Sequence, residues 1–317
     1  MASGSKKAIF ASMAGNGLIA ITKFAAAGYT GSSAMLSEAI HSVVDTGNQV
    51  LILYGMHRSK QKADATHPFG YGRELYFWSF VVAILIFALG AGVSIYEGVD
   101  KILRPHEVSN PFINYIVLAL AFVFEGAASW IAVKEFNAVR NGRSWIRAIR
   151  DSKDPGLFII LFENAAAMIG LVVAFVGIYA AQYLNLPMLD GVASVGVGIV
   201  LAVTAVLLAY ETKALLIGEA AAEYLVEGVE DIVAGEDAVC HINELRTMHM
   251  GPDDVLLALS LDFKDGIAVG RVEDSIYKLE NNIKNRFPEV KRIFIEVQAA
   301  EHHEEMLETD KERAQKS

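Results

Sequence analysis

Residues 30–49 read TGSSAMLSEAIHSVVDTGNQ, and the residues that follow stay apolar as far as Met56. The stretch 34–56 is long enough to cross about 30 Å of hydrocarbon, which needs roughly 20 helical residues. Yet it holds Glu38, His41 and Asp45, with Asn48 beyond. Ionisable side chains in a spanning helix are costly and mark ion or proton paths. His41 and Asp45 are four residues apart, so they share one helix face a turn from each other. An imidazole and a carboxylate so placed make half a site for a borderline divalent cation such as zinc, which accepts N and O ligands.

Five other stretches of similar character surround this one, at about 8–27, 75–95, 112–133, 156–181 and 189–208. The whole chain of 317 residues is 53% apolar and 20% charged, with a mean hydropathy of +0.36. Those values exclude an ordinary soluble enzyme. Charge is unevenly spread. Residues 1–217 carry 16 Lys and Arg against 14 Asp and Glu, whereas residues 218–317 carry 11 against 23. No domain-wide basic surface exists to release counterions, so no nucleic-acid partner is expected. The single cysteine, Cys240, excludes an internal disulfide framework and a thiolate cluster. The first apolar stretch does not read as a cleaved signal peptide, and MASGSKKAIF does not resemble a transit peptide.

Lys and Arg in the loops set the orientation. Lys6 and Lys7 precede the first stretch. Arg58, Lys60, Lys62 and Arg73 lie between the second and third. Lys134, Arg140, Arg143, Arg147, Arg150 and Lys153 lie between the fourth and fifth. The opposite loops hold only Lys101 and Arg104. Both termini are therefore expected on the cytoplasmic side of a multi-pass protein, with a bacterial inner (plasma) membrane as the expected location.

Beyond Glu211 the pattern changes. Residues 220–233 read as a short amphipathic helix. Residues 241–250 and 255–263 read as strands joined at Gly251–Pro252, residues 272–286 as a helix and 290–297 as a third strand. The predicted architecture is an all-α six-helix transmembrane bundle over 1–210, then a small cytoplasmic α+β domain (α-β-β-α-β, ferredoxin-like) over 211–300. The tail 301–317, EHHEEMLETDKERAQKS, is expected to be solvated or disordered.

Span five adds Glu163 and Asn164 within FIILFENAAAMIG, where small residues would let another helix approach closely. Two carboxylates and a histidine nearly neutralise a dication in low dielectric. Glu125, in VFEGAASW, reads equally as a pathway carboxylate or as a helix-interface hydrogen bond. Asp190, at the start of span six, reads as a capping or dipole partner. Lys23, near the end of span one, is the only basic residue inside a span.

At this point the chain resembles the cation diffusion facilitators. The resemblance is carried by the span-two sequence and by HPFGYGRE at 67–74, and it covers nearly the whole chain down to INELRTMHMGP at 242–252. It implies a homodimeric six-span antiporter in a lipid bilayer, exchanging a divalent metal cation for protons, with zinc as first expectation and iron, cobalt or manganese as alternatives. It implies no prosthetic group and no enzyme activity. It assigns metal binding and proton coupling to His41, Asp45 and Glu163. DPGLFIILFEN at 154–164 resembles the branch that includes the mitochondrial zinc transporter of animals. Ile159 stands where the family usually has a further ligand, so Asn164, water or Glu38 is expected as the fourth. In the loop between spans two and three, Tyr71 stands where members with an accessory metal site carry histidine, leaving Asp64 and His67. The family's soluble-domain histidines correspond to Asn243, Leu259, Arg271 and Glu296, so that domain is expected to dimerise by packing. His302 and His303 read as part of a solvated segment rather than a sensor. A reading of another class is a non-transporting membrane metal sensor or scaffold. An intramembrane metalloprotease is disfavoured, because the chain shows no closely spaced two-His helix motif with a catalytic Glu.

Overall fold

The structure is a computed structural model that describes residues 3–140, 142, 144–145, 148–149 and 153–316, with 3–15, 139, 315 and 316 described by backbone alone. The side chains of Lys6, Lys7, Arg143, Arg147 and Arg150, which entered the orientation reading, lie outside the described residues. The chain divides into two compact units: Met1–Gln61 with Glu74–Lys213, and Lys62–Arg73 with Ala214–Ser317.

The first unit is helical. Its long helices are α1 (Ser3–Thr30), α2 (Ser33–Arg58), α3 (Glu74–Leu103), α4 (Pro111–Val139), α5 (Pro155–Tyr183) and α6 (Met188–Ile217). Proline at the first helical position starts α4 and α5, where its missing N–H costs nothing. Helices α3 to α6 are both long and apolar enough to cross a membrane. Helix α2 has the length, about 39 Å at 1.5 Å per residue, but its own polar residues dilute its apolar character. The outward faces of α4 to α6 carry exposed Phe112, Leu120, Val123, Trp130, Val172, Ile199 and Val203. So continuous an apolar surface suits lipid and not water.

Small residues set the packing. Gly98 of α3 meets Gly191 of α6 so closely that a Cβ on Gly98 would come within 2.6 Å of the Gly191 carbonyl. The Ser194 hydroxyl of α6 donates to the Ser94 carbonyl of α3 at 2.8 Å, and Ser37 of α2 pairs with Ser194 at 2.6 Å. Close backbone approach and hydroxyl bonds replace the hydrophobic drive that lipid cannot supply. Helix α2 contacts α1, α3 and α5. That position takes its polar residues out of lipid, and Glu38, His41 and Asn48 are buried.

The second unit contains α7 (Glu223–Ala234), β1 (Val239–Gly251), β2 (Asp254–Phe263), α8 (Val269–Arg286), β3 (Val290–Val297) and α9 (Ala300–Lys316). The sheet order is β1-β2-β3. Strands β1 and β2 are antiparallel across a tight hairpin, and β3 returns parallel to β2 after the α8 crossover. Central β2 sends Val255, Leu257, Leu259 and Leu261 to a core closed by Leu225 and Val229 of α7 and Leu279 and Ile283 of α8. This is the α-β-β-α-β order expected. Helix α9 differs from expectation: the charged tail is helical, because Ala, Glu, Met, Leu, Lys, Arg and Gln are strong helix formers even where nothing is buried.

The loop Lys62–Arg73 joins α2 to α3 but packs with the second unit. Arg292 of β3 forms an ion pair with Asp254 at 2.7 Å, donates to the Phe69 carbonyl at 2.9 Å and lies over the Phe69 ring. Gly72 lies against the Met250 backbone, where any Cβ would overlap the carbonyl oxygen.

Candidate metal centre

Helix α2 is capped at its start by Ser32, whose hydroxyl accepts from the Met35 amide at 3.1 Å. That cap is held by Asp190 of α6, which accepts from the Ser32 hydroxyl at 2.6 Å and from the Ser33 amide at 2.7 Å. Asp190 thus caps a neighbouring helix rather than serving only its own, with Lys101 at 3.9 Å. A carboxylate at a helix N-terminus satisfies free amides and complements the dipole.

One and a half turns into α2 begins a ladder of polar groups: Glu38, His41, Ser42, Asp45, Asn48 and Gln49. His41 Nδ1 lies 3.4 Å from Asp45 Oδ1. The pair is close but makes no hydrogen bond: both ring nitrogens of His41 and Asp45 Oδ1 are buried without a hydrogen-bond partner. Buried polar atoms in native structures are nearly always satisfied, which makes the His41–Asp45 pair a candidate for ligand binding.

Glu163 of α5 is buried and accepts from Asn48 Nδ2 at 2.7 Å. That clamp aims the carboxylate from α2, and it leaves Asn48 Oδ1, like Gln49 Oε1, without a partner. Among the described residues, however, no three His, Cys, Asp or Glu side chains stand close enough to chelate one ion. The structure sets His41 beside Asp45 on α2 and joins Glu163 of α5 to Asn48 of α2, and it does not gather His41, Asp45 and Glu163 into one cluster.

The remaining candidates fall as follows. Asn164 is half-buried, about 100° around α5 from Glu163. Ile159, one turn before Glu163, is fully buried. Glu38 and Glu125 are engaged by Lys23, which is fully buried and bonds Glu38 at 3.0 Å and Glu125 at 2.8 Å. Lys23 lies about two turns before the end of α1, which continues to Thr30. In the loop, Asp64 accepts from the His67 amide at 2.7 Å, the Thr66 amide at 2.9 Å and the Tyr71 hydroxyl at 2.7 Å. The His67 amide, then the Tyr71 hydroxyl, hold its carboxyl below the usual range. His67 Nδ1 stands 3.8 Å from Asp64, and its ring packs on Tyr71. In the second unit, Asn243 donates to the Gln298 carbonyl at 2.8 Å, and Leu259 belongs to the core.

Residues 9–217 match the family model described as the cation efflux transmembrane domain. The chain belongs to the cation efflux family. It is an integral, multi-pass membrane protein with a transmembrane helical bundle and a C-terminal domain. It is 33% identical over 270 residues to "Proton-coupled zinc antiporter SLC30A9, mitochondrial" of Homo sapiens, covering 84% of this chain and 47% of that protein. It is 28% identical over 267 residues to "Metal tolerance protein C4" of Arabidopsis thaliana, covering 84% and 58%. It is also 25% identical over 272 residues to "Cation-efflux pump FieF" of Cronobacter sakazakii, covering 86% and 85%. The chain spans about half the length of the first two relatives.

Proposed function

We propose that this protein moves a divalent metal cation, zinc foremost, across its membrane in exchange for protons. The observation that carries the reading is His41, buried with both nitrogens unpartnered, 3.4 Å from Asp45 on a helix that packs on the one bearing Glu163. The names of the human and bacterial relatives, a zinc antiporter and a cation-efflux pump, support the same reading.

The chemistry follows from the donor set. Two carboxylates and an imidazole offset most of a dication's charge, which a low-dielectric site requires. Each ligand must lose its proton to take the metal, so metal and proton compete for the same atoms. Binding draws Glu163 toward His41 and Asp45, and rocking of the bundle then exposes the site to the far side of the membrane. On the far side protons return to the ligands and the metal leaves. Asn48 holds Glu163 in place, and its free Oδ1 is a fourth donor beside Asn164 and water. With Ile159 in place of a nitrogen or oxygen ligand the site leans toward oxygen donors, which keeps manganese, iron and cobalt as competing cargo.

The wider reading has α1 and α2 crossing the bilayer with the other four, giving six spans, both termini cytoplasmic, a bacterial inner membrane and a homodimer. The test is a metal-by-metal uptake panel in proteoliposomes. Zinc uptake should be greatest in the wild type and lost in His41→Ala and Asp45→Ala. Wild-type uptake by both variants would refute the site.

A further inference from the structure

One group in the bundle already holds a cation. The Lys23 ammonium of α1 donates to Glu38 Oε2 at 3.0 Å, Ser42 Oγ at 2.9 Å and Glu125 Oε1 at 2.8 Å. An ammonium has three donors, so all of them are used. The oxygens come from α2 and α4, so three helices meet at this point. The two carboxylates still have capacity: Glu38 Oε1 and Glu125 Oε2 are buried without hydrogen-bond partners. Space for Glu38 is provided by Gly170 of α5, where any Cβ would overlap Oε1. With both carboxyl groups ionised, two carboxylates and one ammonium leave this buried cluster one negative charge in excess. It is an oxygen cage built around a positive charge, and Ser42 adjoins His41 in sequence.

We propose that Glu38, Ser42 and Glu125 form a second cation site in the transmembrane bundle, that Lys23 is its resident cation, and that this tethered charge limits each protomer to one metal ion. The inference deepens the transport reading and rests on it for the metal at His41. Three hard oxygen donors, two of them anionic, are a ligand set suited to a divalent ion once the ammonium is gone. With Lys23 in place the cage is filled. Its single positive charge neutralises one carboxylate, and Glu38 and Glu125 are withheld from the metal at His41. Lys23 is thus a specificity-determining residue, setting how many ions are carried rather than ligating them.

The experiment is zinc titration calorimetry on the full-length protein in detergent micelles, with zinc chloride as the only added metal. Wild type should bind one zinc per protomer and Lys23→Gln two, and Lys23→Gln combined with Glu125→Gln should return to one. A folded Lys23→Gln protein that still binds one zinc overturns the proposal. Removing the ammonium leaves two uncompensated carboxylates, so the variant is also followed by thermal unfolding with chelator and with zinc. An empty cage should make its folding zinc-dependent, and a variant that stays unfolded in both conditions overturns the proposal equally. Asp45→Asn in the wild-type background separates the two readings. Loss of its zinc upholds the His41 site, and survival of that zinc refutes the His41 site while the Lys23 comparison still stands or falls alone.

Discussion

Asn48 does two things at once: its Nδ2 holds Glu163 at 2.7 Å while its Oδ1 faces no partner. Groups that orient a ligand are worth about 10- to 100-fold in metal affinity. Asn48→Ala should therefore weaken zinc binding by about that factor without unfolding the bundle, as read by calorimetry. An unchanged affinity would remove Asn48 from the site. In the loop, Asp64 and His67 lack a third ligand because Tyr71 spends its hydroxyl on Asp64. Tyr71→His should add a weak, exposed zinc site there, seen as an extra low-affinity phase, and no added phase would mean the loop cannot close around an ion. The His41–Asp45 pair was legible in the sequence because a four-residue spacing fixes a shared helix face. The Lys23 cluster was not. Its partners lie 15, 19 and 102 residues away, and helical periodicity says nothing about which faces of different helices meet. A lone lysine within an apolar span, with carboxylates in two others, was the only available signal.

Helix packing in the bundle depends on glycines where backbones touch. A Cβ at Gly98 would come within 2.6 Å of the Gly191 carbonyl and 2.7 Å of Val195, contacts that cannot give without moving a helix. Gly98→Ala should cost about 1–3 kcal/mol, the range for overpacking, and lower the midpoint of thermal unfolding in detergent. An unshifted midpoint would show that α3 and α6 have freedom to separate. The strands and helices of the second unit were legible because alternation along β2 and helical spacing along α8 each follow one period. Helix α9 is solvated, as its charge density suggests, but ordered, because helix propensity acts without burial. The capping role of Asp190 was legible in the sequence, but not which helix it caps, because a cap across two helices has no sequence spacing to reveal it.

Across the whole chain, the segment that links α2 to α3 belongs structurally to the C-terminal unit, held there by Arg292. Arg292→Ala should speed amide exchange over residues 64–70 by about fivefold, equivalent to roughly 1 kcal/mol for a half-exposed charged contact. Exchange at the wild-type rate would show that Gly72 and its neighbours hold the loop unaided. The account as a whole rests on metal and proton sharing His41, Asp45 and Glu163. The most direct test loads proteoliposomes with a pH-sensitive dye and adds zinc outside, recording proton efflux and zinc entry together. The account predicts that zinc drives proton release in the wild type and that Asp45→Asn and Glu163→Gln abolish both fluxes. Zinc entry that continues in either variant, or that moves no protons in the wild type, would contradict it.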